Sequence, residues 1–189
     1  QIPVTGLMRF LFPHECYSSI GTYDGNTQTL VTDEQINDAS QWFNHFDFRV
    51  MLLDNSLIER VPVFEKVNKV TKIDRIAVVS MPPMTTYNWH VDEHRSATVN
   101  MLLNNHGNSI CLFGKQIDGS QHSIVELFYK PNTFYLFNTS VDHMVINRGA
   151  ERFILSLQFE KQKKYEDLRE ALVTDSDQVG SLLHLKAEK

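Results

Sequence analysis

Hydrophobic and polar residues follow two different regimes along this chain, and the change falls near Ile73. Before it the pattern is mixed. Residues 1–31 read as irregular, with one short strand around Leu7–Phe12 and a turn-rich cluster from Ser18 to Asn26. Thr32 and Gln35 have capping-box spacing, and Ile36, Ala39, Phe43 and Phe46 follow at roughly helical intervals. That spacing predicts an amphipathic helix over 33–46 with its aromatics in the core. Phe48–Leu53 suits a strand. Residues 55–67 have helical character that Pro62 interrupts.

From Ile73 the pattern becomes almost wholly β. Ile73–Met81 reads as a buried strand ended by Pro82-Pro83. Further strands are predicted at Asn88–Asp92, Ser96–Leu103, Ser109–Phe113, Ser123–Tyr129, Thr133–Asn138, Asp142–Asn147 and Arg152–Phe159. The breaks between them carry turn residues: Asn104 to Asn108, Asp118-Gly119, Pro131-Asn132 and Asn147-Arg148-Gly149. Gln162–Val173 has Tyr165, Leu168 and Leu172 on one side and predicts a closing helix. Short strands at this spacing, after a partly helical N-terminal third, indicate a mainly β sandwich or jelly roll. The expected organisation is one domain over residues 1–174, with its jelly-roll core at about 73–160, followed by a polar tail at 175–189.

Composition adds bounds. The chain has 189 residues, 42% of them hydrophobic and 22% charged, which allows a single domain with a substantial core. Its net charge is −5, from 18 basic and 23 acidic residues, and no basic block occurs. A nucleic-acid partner gripped by its phosphates is therefore not expected. Cys16 and Cys111 are far apart and in no Cys-x-x-Cys spacing. Free thiols in a reducing compartment are the simpler expectation, a single disulfide the alternative. The apolar stretch Gly6–Phe12 is short, contains Arg9 and stops at Pro13, so neither a leader nor a membrane span is expected. The expected location is cytoplasmic.

The candidate chemistry lies in Asn88-Trp89-His90-Val91-Asp92-Glu93-His94-Arg95 and, about fifty residues later, in Asp142 to Asn147. Two positions apart on an extended strand, His90 and Asp92 leave the same face. His143 can add a third ligand from another strand. Two imidazoles and one carboxylate on one side of an ion, with the other side open, form the ligand set of non-haem ferrous oxygenases. Arg152 begins the last strand, whose Arg152, Ile154, Ser156 and Gln158 share one face. A guanidinium on so apolar a strand is costly to bury without an anion. The distal carboxylate of 2-oxoglutarate would meet it with two parallel hydrogen bonds.

This arrangement, His90-x-Asp92, then His143, then Arg152 nine residues on, resembles the 2-oxoglutarate/Fe(II)-dependent dioxygenase superfamily. The phrase His143-Met-Val-Ile-Asn147, with Arg152-Phe-Ile-Leu after four residues, is similar to the closing segment of its aspartyl/asparaginyl β-hydroxylase-like and prolyl-hydroxylase-like branches. The similarity covers roughly residues 73–160. It implies a double-stranded β-helix (cupin-like jelly roll) with flanking helices in the N-terminal third and at the C-terminus. It also implies Fe(II) on His90, Asp92 and His143, 2-oxoglutarate on Arg152, and O2 as oxidant. The activity implied is hydroxylation of an amino acid, peptidyl residue or small metabolite with release of succinate and CO2.

Other positions have two readings each. Asn100 and Ser156 either contact the co-substrate or make structural hydrogen bonds. Tyr87 and Trp89 flank the ligand strand and either line a substrate mouth or pack. Arg95 is either a rim charge or a contact to an acidic substrate. Asn147 is placed to brace the turn before Arg152. His94 shares a face with His90 and Asp92, and a His90/Asp92/His94 set would suit a zinc-dependent hydrolase. A metal-binding jelly roll without oxygenase activity is the remaining alternative. His45, His106, His122 and His184 are expected to be surface or satisfied histidines.

Overall fold

The computed structural model describes residues 10–104, 108–118 and 121–173. The first half of the predicted strand Leu7–Phe12 lies outside these residues and its second half, 10–12, is not in a strand; His106, His184 and the tail also lie outside.

Two antiparallel sheets form a sandwich. The first has seven strands in the order β1 (Tyr17–Thr22), β9 (Thr133–Asn138), β6 (Ala97–Leu102), β11 (Arg152–Phe159), β4 (Ile73–Met81), β3 (Phe48–Leu53), β2 (Trp42–His45). The second has four: β5 (Thr85–His90), β10 (Asp142–Asn147), β7 (Ser109–Asp118) and β8 (Gln121–Phe128). The helices are α1 (Pro13–Cys16), α2 (Asp33–Asn37), α3 (Leu57–Arg60), α4 (Pro62–Val70) and α5 (Tyr165–Leu172).

Strand alternation divides the large sheet into two faces with different partners. Leu155, Leu157, Val99, Met101 and Leu136 pack against Phe64 and Val67 of α4 and Tyr165, Leu168 and Leu172 of α5. The opposite face contributes Tyr135 and Phe137 to a second core with Cys111, Phe113, Val125 and Leu127 of the small sheet. By register Ser156 lies beside Asn100, and Asn100 beside Tyr135, so all three look into the space between the sheets.

The predicted helix over 33–46 is corrected. The capping box forms as expected, with Gln35 N–H donating to Thr32 Oγ1 at 3.1 Å and Thr32 N–H donating to Gln35 Oε1 at 3.0 Å. The helix nevertheless stops at Asn37. Asp38 accepts from Ser40 N–H at 3.0 Å and opens a 3-10 turn, after which Trp42–His45 pairs with β3 as an edge strand. Of the expected core positions Ile36 packs inward, while Phe43 and Phe46 are exposed. Edge pairing imposes period two on a run too short to hold its helical period.

Pro62 separates two helices rather than breaking one. It sits in the first turn of α4, where a missing N–H costs nothing. The turn-rich reading of Ser18–Asn26 missed β1. That strand pairs with β9 across a bulge at Ser19/Gly21, where Gly21 has φ 149° and an added Cβ would come within 2.8 Å of Val63. Most strands from Ile73 onward fall close to their predicted positions; the strand expected at Asn88–Asp92 runs instead from Thr85 to His90, and the one expected at Ser109–Phe113 continues to Asp118, while the closing helix lies within its predicted range.

Both cysteines are free and buried, and burial pushes each thiol up to about 12. No helix among the described residues is long and apolar enough to cross a membrane.

Phe64 is fully buried and meets the Phe134 ring edge-on at 5.3 Å. Phe64→Ala should destabilise the protein by about 3–5 kcal/mol, measured by urea denaturation. The two thiols should react with a thiol reagent only on the timescale of unfolding.

Candidate metal centre

β5 and β10 pair antiparallel, with His143 directly opposite His90. The register then slips: Val145 opposes Tyr87, so β5 carries one residue more than β10 over this interval. Such a bulge rephases the strand and re-aims its side chains. Tyr87 and His90, three positions apart, therefore lie together, their rings 4.2 Å apart by centroid. Trp89 turns onto Gly114 of β7, where an added Cβ would meet the indole at 2.9 Å.

Each imidazole is held by a carbonyl two residues earlier. His90 Nδ1 bonds Asn88 C=O at 2.7 Å, and His143 Nδ1 bonds Val141 C=O at 2.9 Å. A carbonyl can only accept, so both Nδ1 atoms carry the proton in the neutral rings and both Nε2 atoms are bare.

Asp92 lies just beyond β5, which ends at His90. The expectation that both sit on one extended strand is corrected to a strand end and its following loop. The loop is fixed by Asp92 N–H donating to Thr139 C=O at 3.0 Å. Asp92 Oδ1 stands 3.7 Å from His90 Nε2 and 4.0 Å from His143 Nε2. Ligand atoms of His90, Asp92 and His143 all lie within 4.8 Å of one another.

These donors suit one cation. Separations of 3.7 and 4.0 Å lie within twice a metal–ligand bond of about 2.1 Å. Burial, the largest influence, and the neighbouring His90 hold the His143 imidazole below its ordinary value of 6.5, which favours the neutral, ligating form.

Arg152 lies on the face of β11 that looks toward the small sheet. It is buried, and its Nη2 donates to Tyr129 Oη at 2.9 Å. Burial raises the Tyr129 phenol well above its ordinary value, so it stays neutral. The Arg152 Nε–H is buried without a protein partner, and so is Ser109 Oγ. An unpaired buried guanidinium N–H is costly, and a bound anion would satisfy it. Ser156 Oγ lies 3.2 Å from Thr98 Oγ1. Asn147 braces the approach to Arg152, its Nδ2 donating to Pro82 C=O and Ala150 C=O, both at 2.8 Å.

Of the residues singled out in the sequence, His90, Asp92, His143 and Tyr87 come together. Arg95 joins them by donating from Nε to Asp92 Oδ2 at 2.5 Å. Asn100 and Ser156 are buried neighbours in the interior between the sheets. Trp89 leaves the group for the Gly114 surface. His94 is exposed and outside the cluster, which removes the His90/Asp92/His94 set. His45 and His122 are exposed, as expected. Three participants carry no signal in the sequence. Tyr129 follows β8 and has no motif linking it to Arg152, and Thr139 acts through its backbone and its Oγ1 on a loop distant in sequence. Phe48 also joins the site, its ring 4.6 Å from Tyr87.

Because the folded His143 resists protonation, its contribution to stability is present above pH 6.5 and lost as pH falls below that value. The metal-free protein should lose urea resistance between pH 7.5 and pH 5.5, and His143→Gln should show a smaller loss over the same interval.

Comparison with known proteins gives the fold a family of shapes. No protein-family model and no curated protein matches the chain. Solved structures do. A Pseudomonas putida prolyl-4-hydroxylase is similar at 15% identity and TM-score 0.54, covering 78% of this chain and 93% of that one. A Trichoplax adhaerens prolyl hydroxylase, in complex with a hypoxia inducible factor peptide fragment, is similar at 15% identity and TM-score 0.55, covering 85% and 88%. The viral collagen prolyl hydroxylase of Paramecium Bursaria Chlorella virus-1 matches at 12% identity and TM-score 0.51, over 75% and 93%. This chain shares the fold of these prolyl hydroxylase structures, two antiparallel sheets packed as a double-stranded β-helix.

Proposed function

We propose that the protein is an Fe(II)- and 2-oxoglutarate-dependent oxygenase that hydroxylates a peptidyl residue, an amino acid or a small metabolite. The observation that carries this reading is the convergence of His90 Nε2, Asp92 Oδ1 and His143 Nε2, in a chain whose Arg152 is buried with its Nε–H unpaired. The prolyl-hydroxylase fold supports it, and the peptide bound to the Trichoplax adhaerens enzyme makes a peptide a reasonable first substrate class to test.

In this reading His90, Asp92 and His143 hold the iron, and Arg152 with Tyr129 receives the distal carboxylate of 2-oxoglutarate. Iron held there would supply, with O2 and 2-oxoglutarate as co-substrates, the oxidising power for hydroxylation, 2-oxoglutarate being converted to succinate and CO2. The chain's own residues do the rest. The carbonyls of Asn88 and Val141 aim the imidazoles. Tyr129 accepts one Arg152 hydrogen bond, which orients the guanidinium and leaves Nε–H for an oxygen of the co-substrate. Tyr87 and Phe48 form an aromatic wall beside His90 that restricts water on that side. The same reading takes residues 1–174 as one oxygenase domain with its jelly-roll core at 73–160, followed by a polar tail. Two free buried thiols are consistent with a reducing, cytoplasmic setting.

Purified protein supplied with ferrous iron, 2-oxoglutarate and oxygen should release succinate, slowly without substrate and faster with it. Asp92→Ala should remove metal binding and turnover together. Arg152→Ala should spare the metal and weaken 2-oxoglutarate binding by about 2–5 kcal/mol, the range for truncating one side of a buried charge pair. Titration calorimetry with manganese in place of iron reads both effects. Full activity in Asp92→Ala would remove the ligand assignment, and a protein that binds metal but never consumes 2-oxoglutarate would be a binding domain.

A further inference from the structure

We propose that Arg95 is a positioning residue that presents Asp92 to the cation through a single oxygen. The inference rests on the metal site proposed above and extends it to a side chain outside the ligand set.

Asp92 needs such help because of where it lies. β5 ends at His90, and the bond from Asp92 N–H to Thr139 C=O holds the backbone there without fixing the side chain. A carboxylate on a loop can rotate, and it can offer a cation one oxygen or both. Arg95 removes that choice. Its Nε–H donates to Oδ2 at 2.5 Å, while Oδ1 is the oxygen that faces His90 Nε2 and His143 Nε2. Charge-assisted bonds of this kind are short and strong for their class. One oxygen is thereby committed to the guanidinium and the other left for the metal, which keeps a coordination position open that a bidentate aspartate would fill.

Arg95 can do this because its own backbone is fixed. Thr139 Oγ1 donates to Arg95 C=O at 2.6 Å, and Thr139 N–H donates to Ser96 C=O at 3.2 Å. Thr139 C=O accepts from Asp92 N–H at 3.0 Å. One buried threonine, four residues before His143, thus grips both ends of the loop from Asp92 to Ser96. The i, i+3 pair of Asp92 and Arg95 spans a clamped loop rather than a free one, so the guanidinium reaches its partner at little entropic cost. A salt bridge between two freely exposed side chains would have little effect on anything. Here the acid's side chain is only 16% exposed, and its other oxygen faces both imidazoles.

The test is made on the whole, metal-free protein. Mn2+ affinity is measured by calorimetry for wild type, Arg95→Ala, Arg95→Gln and Arg95→Lys, with Asp92→Ala and His143→Ala as controls. Co2+ absorption in the visible range reports coordination number on the same set. Loss of a supporting group around a metal ligand typically weakens metal binding by about 10–100-fold. Arg95→Ala and Arg95→Gln are expected to fall in that range and to show an altered Co2+ spectrum, with thermal midpoints of the metal-free proteins unchanged. Arg95→Lys should recover part of the affinity, since a charge returns without the same N–H geometry. Mn2+ affinity within twofold of wild type in both Arg95→Ala and Arg95→Gln, with an unchanged Co2+ spectrum, would overturn the proposal while leaving the metal site standing. Wild-type protein that binds no Mn2+, or Asp92→Ala that binds it normally, would overturn the metal site and this proposal with it.

Discussion

The pairing of β10 with β5 decides what this protein can do, because it sets two histidines from distant parts of the chain against each other. An antiparallel ladder fixes which residues stand opposite, and a one-residue slip would turn a side chain to the other face. His143 opposes His90 in register, and the extra residue in β5 then brings Tyr87 to the same side, while plain alternation leaves Trp89 on the other. The bulge is thus part of the site. Without it, alternation would leave Tyr87 and His90 on opposite faces.

Around this pair the sandwich departs from an all-apolar interior in a limited and ordered way. The helix-covered face of the large sheet is filled by Leu, Val, Ile, Phe and Met side chains. The face toward the small sheet carries Thr98, Asn100, Arg152 and Ser156, all buried. Buried polar groups persist only where they find partners. Thr98 does so by donating to Leu157 C=O at 3.0 Å and lying beside Ser156, and Arg152 does so in part through Tyr129. The shortfall at Arg152 Nε has a physical resolution in an anionic ligand. Local rules of foldability tend to be broken where function requires it.

Much of this was legible in the sequence. Period-two alternation carries the strands from Ile73 to Phe159, because most of them are half of a two-sided packing arrangement whose partners differ on each face. Asp142–Asn147 begins and ends where its residues suggest, and His143 and Arg152 keep their spacing across the turn braced by Asn147. The helix over 33–46 was misread because Ile36, Ala39, Phe43 and Phe46 fit a helical period over a run too short to enforce it. Pairing with β3 outweighed the periodicity, and Phe43 and Phe46 ended at the surface. β1 was missed because Ser18, Ser19 and Gly21 have turn chemistry, and only β9 makes a strand of them.

By itself the sequence determined which residue types could serve: two imidazoles, a carboxylate and a guanidinium, at separations that strands and turns preserve. Covalent spacing and strand period are local, so they can be read from the chain alone. Tertiary structure alone decided the contacts that join separate strands. Tyr129 meets Arg152 from the end of β8, and Thr139 clamps the Asp92 loop from the segment before β10. Arg95, readable from sequence as a rim charge or a substrate contact, instead faces Asp92. Such contacts depend on sheet order and register, and these are properties of the packed whole that no local stretch of residues encodes.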